Sequence, residues 1–147
     1  MKIYLDTCCL SRPFDDQTQE RIRLESEAVL VVLARFERGD WEWFGSDVLM
    51  DEIDQMRDPL KQVRVQLMTD FIKQIIETGD EEAQRARELQ QEGFQTFDAL
   101  HIACAESANV DIFLSTDDRL LKTAKRASGR LRVRIENPLV WIEEITR

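Results

Sequence analysis

Histidine occurs once in the 147 residues, and cysteine only three times. No C-x-x-C or H-x-x-x-H pair accompanies His101, so nothing in the spacing sets up a tetrahedral zinc site. Cys8, Cys9 and Cys104 are odd in number and two are adjacent, a spacing that would give a strained ring rather than a staple, so reduced thiols are expected. Cys104 reads most simply as a small buried hydrophobe. No apolar run is long enough to cross a bilayer. The opening MKIYL meets an acid at once, without the charged-then-apolar pattern of a secretory signal, so a cytoplasmic protein without membrane association is expected. No repeat and no linker interrupts the chain, and its length suits one domain, residues 1–147.

Positive charge is also short, with 20 Lys and Arg against 29 Asp and Glu and a net charge of −9. Its distribution is uneven. Arg119, Lys122, Lys125, Arg126, Arg130, Arg132 and Arg134 fall in one stretch without an acid among them, a local basic patch that could hold a polyanion or could simply solvate a helix and an edge strand.

The apolar pattern alternates short strands with helices. Lys2 to Asp6 reads as a strand, followed by a polar loop and an amphipathic helix from about Arg21 to Arg38 that stops at Gly39. Trp41 to Phe44 reads as a second strand leading into a helix capped by Ser46 or Asp47 and ending before Pro59. Helices are expected over Leu60 to Ile76 and Glu81 to Glu92, with Thr78-Gly79-Asp80 as stop and cap, and over Phe97 to Ser107 with Thr96 as cap. Ile112 to Leu114 is a compact strand, followed by a helix to about Lys125, a basic strand near Leu131 to Ile135 and a short closing segment from Pro138. Parallel strands need crossover connections, so the pattern predicts an α/β fold with a parallel sheet, and part of the long helical stretch before Ile112 should form a helical hairpin.

Four acids stand out from this frame. Asp6 ends the first strand, where ligands bind in open parallel sheets; the alternative is a turn-starting Asp bonded to backbone donors of Thr7 and Cys8. Among Asp47, Asp51, Glu52, Asp54 and Asp58, helical phase puts Glu52 alone on the apolar face, four after Val48 and four before Met56, where it needs a cation or an inward Arg or Lys. Asp98 lies on the nearly all-apolar helix Ala99 to Ala105, although a first-turn acid facing the helix dipole is an alternative. His101, one turn on, is expected to pack or hydrogen-bond there rather than act as a base. Asp117 and Asp118 follow the Ile112 strand; capping accounts for one of them, and Asp117 is the site candidate while Asp118 supports it or is exposed.

Oxygen ligands converging on one sheet edge suit Mg²⁺ or Mn²⁺, and such ions support phosphodiester hydrolysis. Thr7, Ser115 or Thr116 could orient a carboxylate or a water.

Leu5-Asp6-Thr7, the run S-D-V-L-M-D-E-I from Ser46, F-D-A-L-H-I-A-C-A from Phe97 and F-L-S-T-D-D-R-L-L from Phe113 together resemble the PIN domain, in particular VapC-like toxin ribonucleases. The resemblance spans nearly the whole chain and implies a three-layer α/β/α sandwich with a central parallel sheet. It also implies Mg²⁺- or Mn²⁺-dependent endoribonuclease activity, frequent homodimers and a small antitoxin partner. By motif position Asp6, Glu52, Asp98 and Asp117 take the four acidic places, and Arg119, Lys122, Lys125 and Arg126 become candidates for holding RNA. The loop Cys9-Leu10-Ser11-Arg12-Pro13-Phe14 suggests a sub-branch of that family. A haloacid-dehalogenase-type phosphatase fits poorly because it needs a second Asp where Cys8 stands, and a receiver domain normally has a paired acid at the first strand and a late Lys, neither of which is present. A folded but catalytically silent PIN-type module that binds RNA or protein is the alternative function.

Overall fold

A computed structural model describes residues 1–147. Five parallel strands lie in the order β3-β2-β1-β4-β5, with β1 at Lys2–Leu5, β2 at Glu42–Ser46, β3 at Ile72–Ile76, β4 at Ile112–Leu114 and β5 at Arg134–Glu136. The connections hold seven helices, α1 (Thr7–Ser11), α2 (Glu20–Glu37), α3 (Asp47–Asp54), α4 (Pro59–Met68), α5 (Asp80–Gln91), α6 (Thr96–Ser107) and α7 (Asp118–Arg126), and α8 (Pro138–Ile145) follows β5.

Strand alternation divides the core in two, because successive side chains point to opposite faces. Tyr4, Phe44 and Phe113 meet Leu89, Ala99, Ile102 and Leu120 from α5, α6 and α7. Ile3, Leu5, Trp43, Ile112 and Leu114 meet Leu10, Val29, Val32, Ile53, Val65 and Trp141 on the other side. The result is the expected three-layer α/β/α sandwich around a parallel sheet.

The largest departure from the sequence pattern is β3. The expected helix Leu60 to Ile76 stops at Met68, turns through a 3₁₀ segment at Thr69–Phe71 and continues as a strand on the sheet edge. Ile72, Ile75 and Ile76 are β-branched and favour an extended backbone. Pairing with β2 completes the selection, helped by Gly45, where a Cβ would come within 3.0 Å of the Ile72 side chain. The stretch expected to be helical throughout is thus split by a strand.

Other boundaries moved less. β2 starts at Glu42 and runs to Ser46, β1 ends at Leu5, and the basic strand is Arg134–Glu136, preceded by a 3₁₀ turn at Ser128–Arg130. Thr96 does not cap its helix. It is the first helical residue after an extended Gln95, and its hydroxyl accepts from Gln90 instead. Gly39 closes α2 at φ +79°, a backbone that favours glycine. No helix is long and apolar enough to cross a membrane.

Candidate active site

The carboxyl ends of β1, β2 and β4 open on one edge of the sheet. Asp6 directly follows β1 and is 6% exposed. It occupies the N-cap position of α1 without bonding any helix amide. Its Oδ2 instead accepts from Ser115 Oγ at 2.9 Å and from the Cys8 thiol at 3.4 Å, so the carboxylate is turned away from capping and toward β4. Burial raises the Asp6 carboxyl above the usual aspartate range, and the Glu52 charge adds to this against the opposing pull of His101 and Ser115.

Glu52 stands on α3, whose N-cap Ser46 accepts from the Leu49 amide at 3.1 Å. One carboxylate oxygen, Oε1, accepts both from Thr7 Oγ1 at 3.0 Å and from His101 Nε2. Burial works to raise this carboxyl, but the hydrogen bonds and charge of His101 and the bond from Thr7 outweigh it and leave it lowered. The inward partner is therefore His101, not an Arg or Lys. The other acids of the segment divide less simply than helical phase predicts. Asp51 and Asp54 are exposed and Asp58 caps α4, but Asp47 is half-buried and holds the Thr78 amide and hydroxyl at 2.9 and 2.7 Å.

Asp98, in the first turn of α6, is half-buried and receives no hydrogen bond from any protein donor. Burial, then the charges of Asp6 and Asp117, push its carboxyl up to about 6, with Glu52 adding and His101 opposing. Asp117 is the N-cap of α7: its Oδ1 accepts from the Arg119 and Leu120 amides at 2.9 and 3.3 Å, and its own amide donates to Ser115 Oγ. Capping occupies one oxygen of this acid while its charge still reaches Asp98.

Donor atoms of Asp6, Glu52 and His101 all lie within 4.8 Å of one another. Asp98 and Asp117 stand outside that tight group but within its electrostatic field. Asp118 turns away, paired on the surface with Arg21 at 2.5 and 2.8 Å, a bond that lowers its carboxyl. The Thr116 amide donates to Cys8 Sγ at 3.3 Å, while its hydroxyl is buried without a partner. Cys8 Sγ also lies 3.4 Å from Ser115 Oγ, a placement at the site that its sequence context did not signal. Beneath the acids, Tyr4 and Ser46 join His101 in a buried chain, and Tyr4, the only tyrosine of the sequence, between Ile3 and Leu5 was the only signal for it.

The basic segment presents Arg119, Lys122, Lys125 and Arg126 on the exposed face of α7, none of them in a salt bridge, next to Gly93 and Thr123. Arg130 and Arg134 are instead tied to Glu92 and Glu144. Asp117 caps the start of α7, and the four cations run along that helix from Arg119 to Lys125 and Arg126 in its last turn.

A family model described as PIN domain matches residues 3–126. No curated protein matches the sequence. Among solved structures, the chain is similar to that of VapBC2 from Rickettsia felis, a complex bound to a DNA fragment from its promoter, with a TM-score of 0.63 and 13% identity over 93% of this chain and 98% of that one. It is also similar to VapBC-1 from nontypeable Haemophilus influenzae, with a TM-score of 0.57 and 13% identity over 94% of this chain and 98% of the other. At such identities the likeness is one of fold.

Proposed function

The chain belongs to the PIN domain family, and from that premise we propose that it is a Mg²⁺- or Mn²⁺-dependent endoribonuclease, acting as the toxin of a type II toxin–antitoxin pair. The observation that carries the reading is Asp98: a half-buried carboxylate with no donor, raised to about 6 by burial and by neighbouring acids. A cation would stabilise the ionised form of such a group, and its neighbours Asp6, Glu52 and Asp117 offer hard oxygen ligands suited to one. These four acids would hold the ion. When bound, it supplies a water of lowered pKa and neutralises charge on a phosphate, the chemistry of phosphodiester hydrolysis.

The remaining side chains prepare that site. Ser115 engages Oδ2 of Asp6 and leaves Oδ1 open; Thr7 does the same for Glu52, holding Oε1 and leaving Oε2 open. Asp117 keeps one oxygen free while the other fixes the start of α7. The four unpaired cations of α7 give an RNA backbone a positive track beside the acids, which offsets the overall negative charge. A protein partner is supported by the exposed apolar row Leu60, Val63 and Leu67 on α4, continued by Phe71 and Ile75. We assign that partner as a small antitoxin, whose basic segment would also meet the acidic groove, with a homodimer as the second assembly. Co-purification with the product of the adjacent reading frame tests the pairing, and a toxin role is lost if that product leaves RNA cleavage unchanged.

Purified protein is expected to cut single-stranded RNA with Mn²⁺ or Mg²⁺ and not in EDTA. Asp6→Asn should lower the rate by more than about 100-fold with the thermal transition retained; cleavage at the wild-type rate in that variant would remove Asp6 from the site. Replacing Lys122 and Lys125 by Ala should weaken RNA binding and flatten its dependence on salt by about 0.7 of a logarithmic slope unit for each phosphate that is no longer neutralised. An unchanged slope assigns these lysines to solubility alone.

A further inference from the structure

Glu52 differs from the other acids in how it is held, and the difference reaches into the core. Its side chain is 32% exposed and long enough to wander, yet both donors it receives sit on the same oxygen. Oε2 is left without a protein partner. A carboxylate fixed through one oxygen and open at the other is oriented for a ligand.

The donor on the buried side is His101, 1% exposed and therefore out of reach of any substrate. Its other ring nitrogen, Nδ1, lies 2.5 Å from the Tyr4 hydroxyl, which lies 2.6 Å from Ser46 Oγ. Tyr4 is fully buried, stacked on Phe113 at 5.1 Å and edge-on to the imidazole at 5.7 Å, so neither ring can turn freely. Ser46 is the N-cap of the same helix that carries Glu52. The hydrogen bonds Ser46, Tyr4, His101, Glu52 thus close a ring over α3, tying the Glu52 carboxylate back to the start of its own helix through β1 and α6.

Proton counting fixes the role of Nε2. An ionised carboxylate can only accept, so Nε2 carries the hydrogen. If the imidazole is neutral, Nδ1 accepts from Tyr4; if it is charged, Nδ1 donates to Tyr4. Nε2 donates to Glu52 either way. Ligation by His101 would require stripping that hydrogen and parting the two side chains.

We propose that His101, held by Tyr4 and Ser46, is a positioning residue that aims the Glu52 carboxylate at the metal through Nε2–H and is not itself a metal ligand. The inference rests on the metal-site reading above. Partners of this kind govern ligand orientation, and their loss costs roughly 10- to 100-fold in metal affinity.

His101 is the only histidine, so ¹⁵N-imidazole NMR reports on it without assignment. The expected spectrum has Nε2 protonated in the metal-free protein and still protonated at saturating Mg²⁺. Calorimetry with Mn²⁺ should show Tyr4→Phe binding about 10-fold more weakly and His101→Ala more weakly still. His101→Gln, which can place an N–H donor toward Glu52, should recover part of the loss. Loss of the Nε2 hydrogen on Mg²⁺ addition makes His101 a ligand and overturns the proposal. Unchanged Mn²⁺ affinity in both Tyr4→Phe and His101→Ala overturns it while leaving the metal site standing. A wild-type protein that binds neither ion overturns the metal reading itself and this role with it.

Discussion

Asp98→Asn is expected to abolish RNA cleavage and, in the absence of metal, to raise the melting temperature at pH 7.5. The two effects have one cause. Burial and the charges of Asp6 and Asp117 hold the Asp98 carboxyl at about 6, above its ordinary range. The folded protein therefore keeps a proton that the unfolded chain releases near pH 4. Stability from this group is complete below that point, declines as pH rises from about 4 to about 6, and stays low above. The full displacement corresponds to roughly 3 kcal/mol, and partial exposure with salt screening reduces the expected gain to about 1–2 kcal/mol. For a chain of this size that is roughly 3–8 °C. Asp6 and His101, both raised, lose stability in the same upward direction, whereas Glu52, lowered, acts only at more acid pH. Metal-free wild-type protein should thus melt lower at pH 7.5 than at pH 5.5, and the Asn variant should show a shallower fall. Added Mg²⁺ should raise the wild type and leave the variant nearly unmoved. Calorimetric scans in EDTA and in Mg²⁺ decide it; a variant that melts below wild type at pH 7.5 would show that Asp98 is a stabilising residue.

This strain was partly legible in the sequence. An acid on the apolar run Ala99 to Ala105 has few places to go, and helical phase separated Glu52 from Asp51 and Asp54 because a 3.6-residue period is a strong constraint over two turns. Asp117 was harder to read, since a cap and a site acid follow a strand in the same way; the structure has it as a cap with one oxygen to spare. The partnership of Glu52 with His101 spans 49 positions and depends on how α3 and α6 meet above the sheet, which no local pattern encodes. The edge strand β3 was missed for a different reason. Five residues with mixed exposure fit a helical period as well as an extended one, and only pairing with β2 selects the strand. Thr96 shows the reverse failure, a residue with cap chemistry whose hydroxyl found Gln90 first.

Glu25→Ala is expected to be the most destabilising substitution of a charged residue on the α2 side of the molecule. Glu25 is 1% exposed and is not among the acids of the proposed site. Its Oε1 accepts from Arg12 Nε at 2.9 Å, and its Oε2 from Asn137 Nδ2 at 2.6 Å and Arg21 Nε at 3.4 Å. One carboxylate therefore joins three segments: the Arg12-Pro13-Phe14 loop that follows α1, helix α2, and the Asn137 cap of α8. Removing one member of a buried pair costs about 3–5 kcal/mol because the other is left without a partner. Arg12 keeps Asp15 at 3.2 Å and some exposure, which lowers the expected loss to about 2–4 kcal/mol, or roughly 5–15 °C. Glu25→Gln retains an acceptor for Arg12 or Asn137 and should lose less. Glu27→Ala on the same helix, breaking an exposed pair with Arg23, should change stability by less than about 0.5 kcal/mol. Urea titrations of the three variants separate these outcomes, and a Glu25→Ala protein no weaker than Glu27→Ala would mean that α1 and its loop are held by packing alone. Because α1 also carries Thr7 and Cys8 into the acidic site, Glu25→Ala should reduce cleavage at temperatures where the chain is still folded.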